Sequence, residues 1–203
     1  PSGLQVFVRR AFSAIMIKFV TTYGVTAIAL AGINGKLTGF FLMPIFGLNN
    51  SGATMVGTSL GKDLIQEAED TSQIAAYMNT GIVGSILLVS VIFAKPIMSM
   101  FGDNPALIDA GVSMIRIMAI ELLIVSYSFG KKVVFMGSGY NRPQLISITI
   151  SKWFVHLPLM YLVVNTMHLP LNYFWISSVI CEAVELMVVM YYHHKGQWKF
   201  NRV

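Results

Sequence analysis

Lys36, Glu121, Lys152, Glu182 and Glu185 are ionisable residues set inside apolar runs. A charge at the centre of a bilayer costs at least about 2.5 kcal/mol unless it faces protein or water, so each of these residues needs a role or a partner. Counted from the expected helix ends at about 1.5 Å per residue, Lys36, Glu121 and Glu182 lie roughly 15 to 20 Å deep, and Lys152 reaches a similar depth from Arg142. Glu185 follows Glu182 by one turn on the same face. Two readings of this mixed-charge set stand open. In one, it is a polar patch lining a cavity, where a carboxylate exchanges one cation or proton for another. In the other, it is internal ion pairing that locks helices together. Arg9 and Arg10 lie nearer a helix end, where they can snorkel or pair, and His156 reads as a satisfied buried histidine.

The remaining chemistry-bearing patterns are weak. Gly57 to Gly61, GTSLG, matches a nucleophile-elbow spacing but lacks the preceding strand and the triad that the motif requires. His193 and His194 are adjacent, so on a helix they point about 100° apart and make a poor metal pair. There is no Gly-rich phosphate loop of the Walker type. No catalytic residue, metal site or cofactor is expected. Cys181 is the single cysteine, which rules out an intrachain disulfide.

Composition sets the class. The chain is 55% hydrophobic and 11% charged, with a mean hydropathy of +0.68, so a soluble domain of this length would expose large apolar patches. It reads as an all-α integral membrane protein, a six-transmembrane-helix bundle over residues 1–203 whose direct partner is the lipid bilayer. The net charge of +5 is spread between apolar runs and forms no basic face with interleaved aromatics, which argues against nucleic acid.

Six spans must position the charged set: Leu4 to Tyr23, Ala27 to Gly61, about Ile74 to Ala94, about Ile108 to Phe129, Leu145 to Asn165 with a kink at Pro158, and Leu171 to Tyr192. The second span is read as the organising element. Its small residues fall four apart, Ala31, Gly35 and Gly39, then Ala53, Gly57 and Gly61, a pattern that lets helices approach closely in lipid. At roughly 52 Å it exceeds the roughly 30 Å of hydrocarbon, and Pro44 is the expected bend. Splitting it there into two spans would place the start of the chain outside. Unsplit, Lys62, Lys131, Lys132, Arg142, Lys195, Lys199 and Arg202 share one side, against Lys95 alone on the other, so that side and the C-terminus are expected to be cytoplasmic. The 13 methionines and 13 phenylalanines suit either an adaptable cavity or ordinary lipid-facing and helix-packing positions.

PSGLQVFVRR in the first span, the second span with Lys36 and Pro44, and then ATMVGTSLGK, GVSMIRIMAIE, MGSGYNRPQ and KGQWKF resemble the multidrug and toxic compound extrusion (MATE) transporters over the whole chain. The resemblance implies the C-terminal six-helix lobe of a twelve-helix protein, paired with an N-terminal six-helix lobe of the same protein. An opening on Pro1 rather than Met fits such a fragment. The implied activity is export of amphipathic, often cationic small molecules across the cell (plasma) membrane in exchange for protons or sodium ions. Two positions depart from the family pattern. Asn141 stands where an acidic residue is more usual. Arg9 stands where the sodium-coupled bacterial branch carries a glutamate, so the pattern is closer to the DinF-like branch, in which proton coupling is assigned to the other lobe. A lipid-linked-oligosaccharide flippase of the same superfamily and a non-transporting membrane scaffold are the alternatives. The expected substrate- or ion-binding residues are Glu121, Glu182, Glu185, Lys36 and Lys152.

Overall fold

The structure, a computed structural model, describes residues 2–200; Pro1 and residues 201–203, with the expected cytoplasmic charge of Arg202, lie outside the described residues. Helices α1 (Ser2–Thr21), α2 (Val25–Gly61), α3 (Ile65–Ile92), α4 (Ala94–Ser99) and α5 (Pro105–Gly137) follow one another. A single helical rod over 142–166 comes next. It consists of α6 (Arg142–Thr149), a π-helical stretch Ile150–His156, α7 (Leu157–Tyr161) and a second π-helical stretch Leu162–Thr166. Helix α8 (Leu171–Lys195) and a 3₁₀ turn, Gln197–Phe200, complete the described chain.

All six expected spans are helices. Among the described residues α2, α3, the 142–166 rod and α8 are long and apolar enough to cross a membrane. Helices α1 and α5 fall outside that set; α1 carries Arg9, Arg10 and Lys18, and α5 carries Asp109, Arg116, Glu121, Lys131 and Lys132. Around the outside of the bundle large apolar side chains such as Phe7, Phe40, Met43, Leu88 and Phe154 are exposed, the arrangement expected where the solvent is lipid.

Helix boundaries follow local chemistry. The Asn104 side chain accepts a hydrogen bond of 3.0 Å from the Ala106 N–H and Pro105 occupies the first turn, which together start α5. Gly196, at φ 66°, ends α8 in the left-handed conformation that glycine adopts at least cost.

Helix α2 runs unbroken through Pro44, so it is not split there into two spans. Two expectations need correction. Helix α5 continues past Phe129 to Gly137, so Lys131 and Lys132 are buried helix residues rather than connector charges. The organising helix is α5, not α2: α5 packs on α2, α3, α4, α6 and α8. A Cβ placed on Gly35 or Gly39 would meet nothing within 4 Å, so that part of the glycine row faces outward. Close approach occurs instead on α5. A Cβ on Gly130 would sit 2.3 Å from the Ala76 backbone of α3, and one on Gly137 would sit 2.5 Å from the Ala53 carbonyl of α2. Gly57 shares the second contact, its Cβ position lying 3.2 Å from the Gly137 carbonyl.

The two ends of the bundle are tied separately. At one end Tyr23 Oη donates to the Leu169 carbonyl at 2.9 Å. At the other, the tail folds back: Trp198 is fully buried among Val56, Leu60, Val134 and Val189, Lys199 pairs with Glu69 at 2.7 Å, and Tyr140 Oη donates to Gln197 Oε1 at 2.7 Å. The C-terminal tail is thus a packed element, although its composition reads as polar.

Candidate functional site

Four helical elements bring the charged set together. On α5, Glu121 and Lys132 are separated by 11 residues, close to three full turns, so they lie within about 20° of one another on a single face. That face also carries Leu122, Val125 and Phe129 into a cleft of about 240 Å³. Helix α8 contributes Glu182 and Glu185, one turn apart; Arg9 of α1 and Thr38 of α2 complete the polar lining.

The 142–166 rod supplies the groups behind the carboxylates. Pro158 has no N–H and its ring crowds the carbonyl four residues back, at Phe154, and the rod is π-helical immediately before it. A π-helical turn adds a residue to the ring and frequently marks a functional segment. Ser151 and Lys152 both stand in that segment. The kink expected at Pro158 is therefore realised as a change of helical register.

Two of the three carboxylates are held by ammonium groups. Lys132 Nζ lies 2.6 Å from Glu185 Oε1, and Ser151 Oγ donates to Glu185 Oε2 at 3.1 Å. Lys152 Nζ is paired with Glu182 Oε1. Each lysine also lies near an aromatic face, Lys132 at 5.2 Å from the Phe129 centroid and Lys152 at 5.9 Å from that of Phe12. Charge pairs with this much low-dielectric contact need good geometry and additional hydrogen bonds to offset their lost hydration, and both are present at Glu185.

Glu121 differs. Its partner is a hydroxyl: Ser178 Oγ lies 2.7 Å from Glu121 Oε2 and equally 2.7 Å from the Trp175 carbonyl. A hydroxyl has one proton to donate and lone pairs to accept with. With Glu121 ionised, Ser178 donates to it. With Glu121 protonated, the carboxyl can donate to Ser178, which then donates to Trp175. Either protonation state is hydrogen-bonded without movement of the backbone.

Glu121, Glu182, Glu185 and Lys152 are thus drawn into one site, whereas Lys36 is not: it is exposed on α2 and does not line the cleft. His156 is buried, with Nε2 at 3.3 Å from Ser177 Oγ, but its Nδ1 has no hydrogen-bond partner among the described residues, so the expected satisfied histidine is only half satisfied. Sequence reasoning missed Lys132 and Arg9 as cleft residues and Ser151 and Ser178 as hydrogen-bond donors. The 11-residue spacing between Glu121 and Lys132 is the signal that could have found Lys132. Among the described residues no group of three or more His, Cys, Asp or Glu side chains is arranged to hold a metal ion.

Residues 1–162 match the family described as MatE. The chain belongs to the MatE family. This is a family of multidrug efflux transporters, not of enzymes. Among curated relatives, the chain is 20% identical to the probable multidrug resistance protein NorM of Thermotoga maritima, over 100% of this chain and 44% of that protein. It is 25% identical to the multidrug resistance protein MdtK of Proteus mirabilis, over 82% of this chain and 36% of that protein. The chain therefore spans less than half the length of these MatE relatives. Among solved structures, the MATE transporter ClbM in complex with Rb+ superposes with a TM-score of 0.88 at 18% identity, over 98% of this chain and 47% of that one. The Vibrio cholerae MATE transporter VcmN in the bent form gives a TM-score of 0.70 at 18% identity, covering 97% and 45%. The helical fold of this MatE chain is shared by just under half of each of these solved transporters.

Proposed function

We propose that this MatE chain is the C-terminal six-helix lobe of a secondary active exporter, and that the cleft between α1, α2, α5 and α8 is where the lobe meets an amphipathic cation. The observation that carries the reading is Glu121, a carboxylate in a membrane-embedded cleft whose hydrogen-bond partner is a hydroxyl able to serve both protonation states. Such a group can release a cation when it takes up a proton and bind one when it loses it. Coupling to protons or to sodium ions is compatible with that chemistry. The Rb+ in the ClbM structure is in keeping with cation binding in this fold.

The partner lobe is an N-terminal six-helix unit of the same protein, in keeping with the chain's matching less than half of its relatives. Basic residues at one end of the bundle, Lys62, Arg142, Lys195 and Lys199, against Lys18 and Lys95 toward the other, favour a cytoplasmic C-terminus in the cell membrane. A flippase for a pyrophosphate-linked lipid would need cationic groups free to meet phosphate. Lys132 and Lys152 are instead committed to carboxylates, which leaves Arg9 as the one cleft cation without an ion pair among the described residues and favours the cation exporter.

The test is export by the full-length protein in proteoliposomes. A fluorescent lipophilic monocation should move when a proton gradient or a sodium gradient is imposed, and Glu121→Gln should abolish that movement while the protein reaches the membrane in normal amounts. Transport unchanged in Glu121→Gln would remove Glu121 from the mechanism, and transport with neither gradient would contradict the antiport reading.

A further inference from the structure

Three carboxylates face the cleft, but they are not equivalent. Glu185 is occupied by Lys132 and Glu182 by Lys152, both amines tethered to the same lobe. Among the described residues Glu121 forms no ion pair within 4.0 Å; its hydrogen-bond partner is the Ser178 hydroxyl. Arg9 adds a guanidinium to the lining and, among the described residues, forms no ion pair within 4.0 Å.

From this arrangement we infer that Lys132 and Lys152 are specificity-determining residues: they fill two of the three carboxylates as built-in counterions, so that the cleft accepts a ligand with a single positive charge and rejects one with two. The inference rests on the cleft being the cation-binding site of the exporter. A first ammonium can pair with Glu121 at no cost to the existing ion pairs. A second would have to displace Lys132 or Lys152 from its carboxylate, and the displaced amine would be left buried without a partner. It would also approach Arg9. The discrimination is thus supplied by a repulsive element as well as by an attractive one, the usual means of rejecting a near analogue.

The same geometry states what should relax the rule. Removing one lysine leaves two open carboxylates in a cleft of about 240 Å³, which matches a dication. Removing the lysine together with its carboxylate restores the original charge balance and should restore the rule.

The experiment compares decyltrimethylammonium with decane-1,10-bis(trimethylammonium), two permanently charged probes of one chain length, in calorimetric binding to the purified full-length protein. Wild type is expected to bind the monocation at least about tenfold more tightly. Lys152→Gln, and independently Lys132→Gln, should move that ratio about tenfold toward the dication. Lys152→Gln/Glu182→Gln should keep the wild-type ratio. Equal binding of both probes by wild type overturns the inference, as does a wild-type ratio in whichever single variant folds. Binding of neither probe by wild type overturns the export reading of the cleft, and this inference with it.

Discussion

Lys132 Nζ and Glu185 Oε1 stand 2.6 Å apart, joining α5 to α8 through side chains only 8% and 2% exposed. Breaking such a pair leaves one buried charge with no partner, whereas replacing both members with apolar residues removes two desolvation costs together. Lys132→Met is expected to destabilise the protein by roughly 3 to 5 kcal/mol, and Lys132→Met/Glu185→Leu to recover most of that loss. Thermal unfolding in detergent checks both; a single variant as stable as wild type would mean that the pair does not hold the helices.

Packing on α5 gives a second prediction. Gly130 meets the Ala76 backbone, while Gly39 meets nothing within 4 Å. Gly130→Leu should therefore lower the yield of folded protein, at a cost of at least about 1 to 3 kcal/mol, and Gly39→Leu should leave it unchanged. Size-exclusion profiles of the two variants decide the matter, and a damaging Gly39→Leu with a benign Gly130→Leu would reverse the assignment of the central helix.

The tail supplies a third. Trp198 is fully buried and its Nε1 donates to the His193 carbonyl at 3.2 Å. Truncation of a buried aromatic typically costs about 3 to 5 kcal/mol, so Trp198→Ala should lower the unfolding temperature markedly. Lys199→Gln, which removes a partly exposed ion pair with Glu69, should change stability by no more than about 1 kcal/mol. Equal effects of the two would indicate a tail that is not docked.

Orientation is tested by labelling. Cysteines at Lys62 and Arg142 should react with an impermeant reagent from one side only, the cytoplasm, and a cysteine at Asp103 from the other; the native Cys181 is buried and should stay silent. Reaction of the Arg142 position from outside would invert the assignment.

Four of the six helices, α2, α3, the 142–166 rod and α8, were legible because each is a long apolar run, and α1 and α5 were legible as helices in spite of the charges they carry. The charged set was legible for a related reason: Glu121, Glu182, Glu185 and Lys152 stand out against apolar neighbours. Lys132 was not, because it sits beside Lys131 and just before GSGYNRP, where charge and turn residues together imitate a connector. What buries it is the tertiary partner Glu185, invisible to a local reading. Lys36 misled in the opposite way. It stands in an apolar run, yet the face of α2 that carries it packs against no other described element of the lobe. The glycine row failed for the same reason: spacing gives the face, not what lies against it. The π-helical register before Pro158, and with it the direction of Lys152, depends on hydrogen-bond geometry that residue types do not encode.

The most direct measurement is equilibrium binding of tetraphenylphosphonium, a lipophilic monocation, to the purified full-length protein and to its Glu121→Gln variant. Glu121 is the open carboxylate of the cleft, so its neutralisation should weaken binding at least about tenfold while the unfolding temperature stays near that of wild type. An affinity unchanged in Glu121→Gln would contradict the account, since the cation would then be held somewhere other than at this carboxylate.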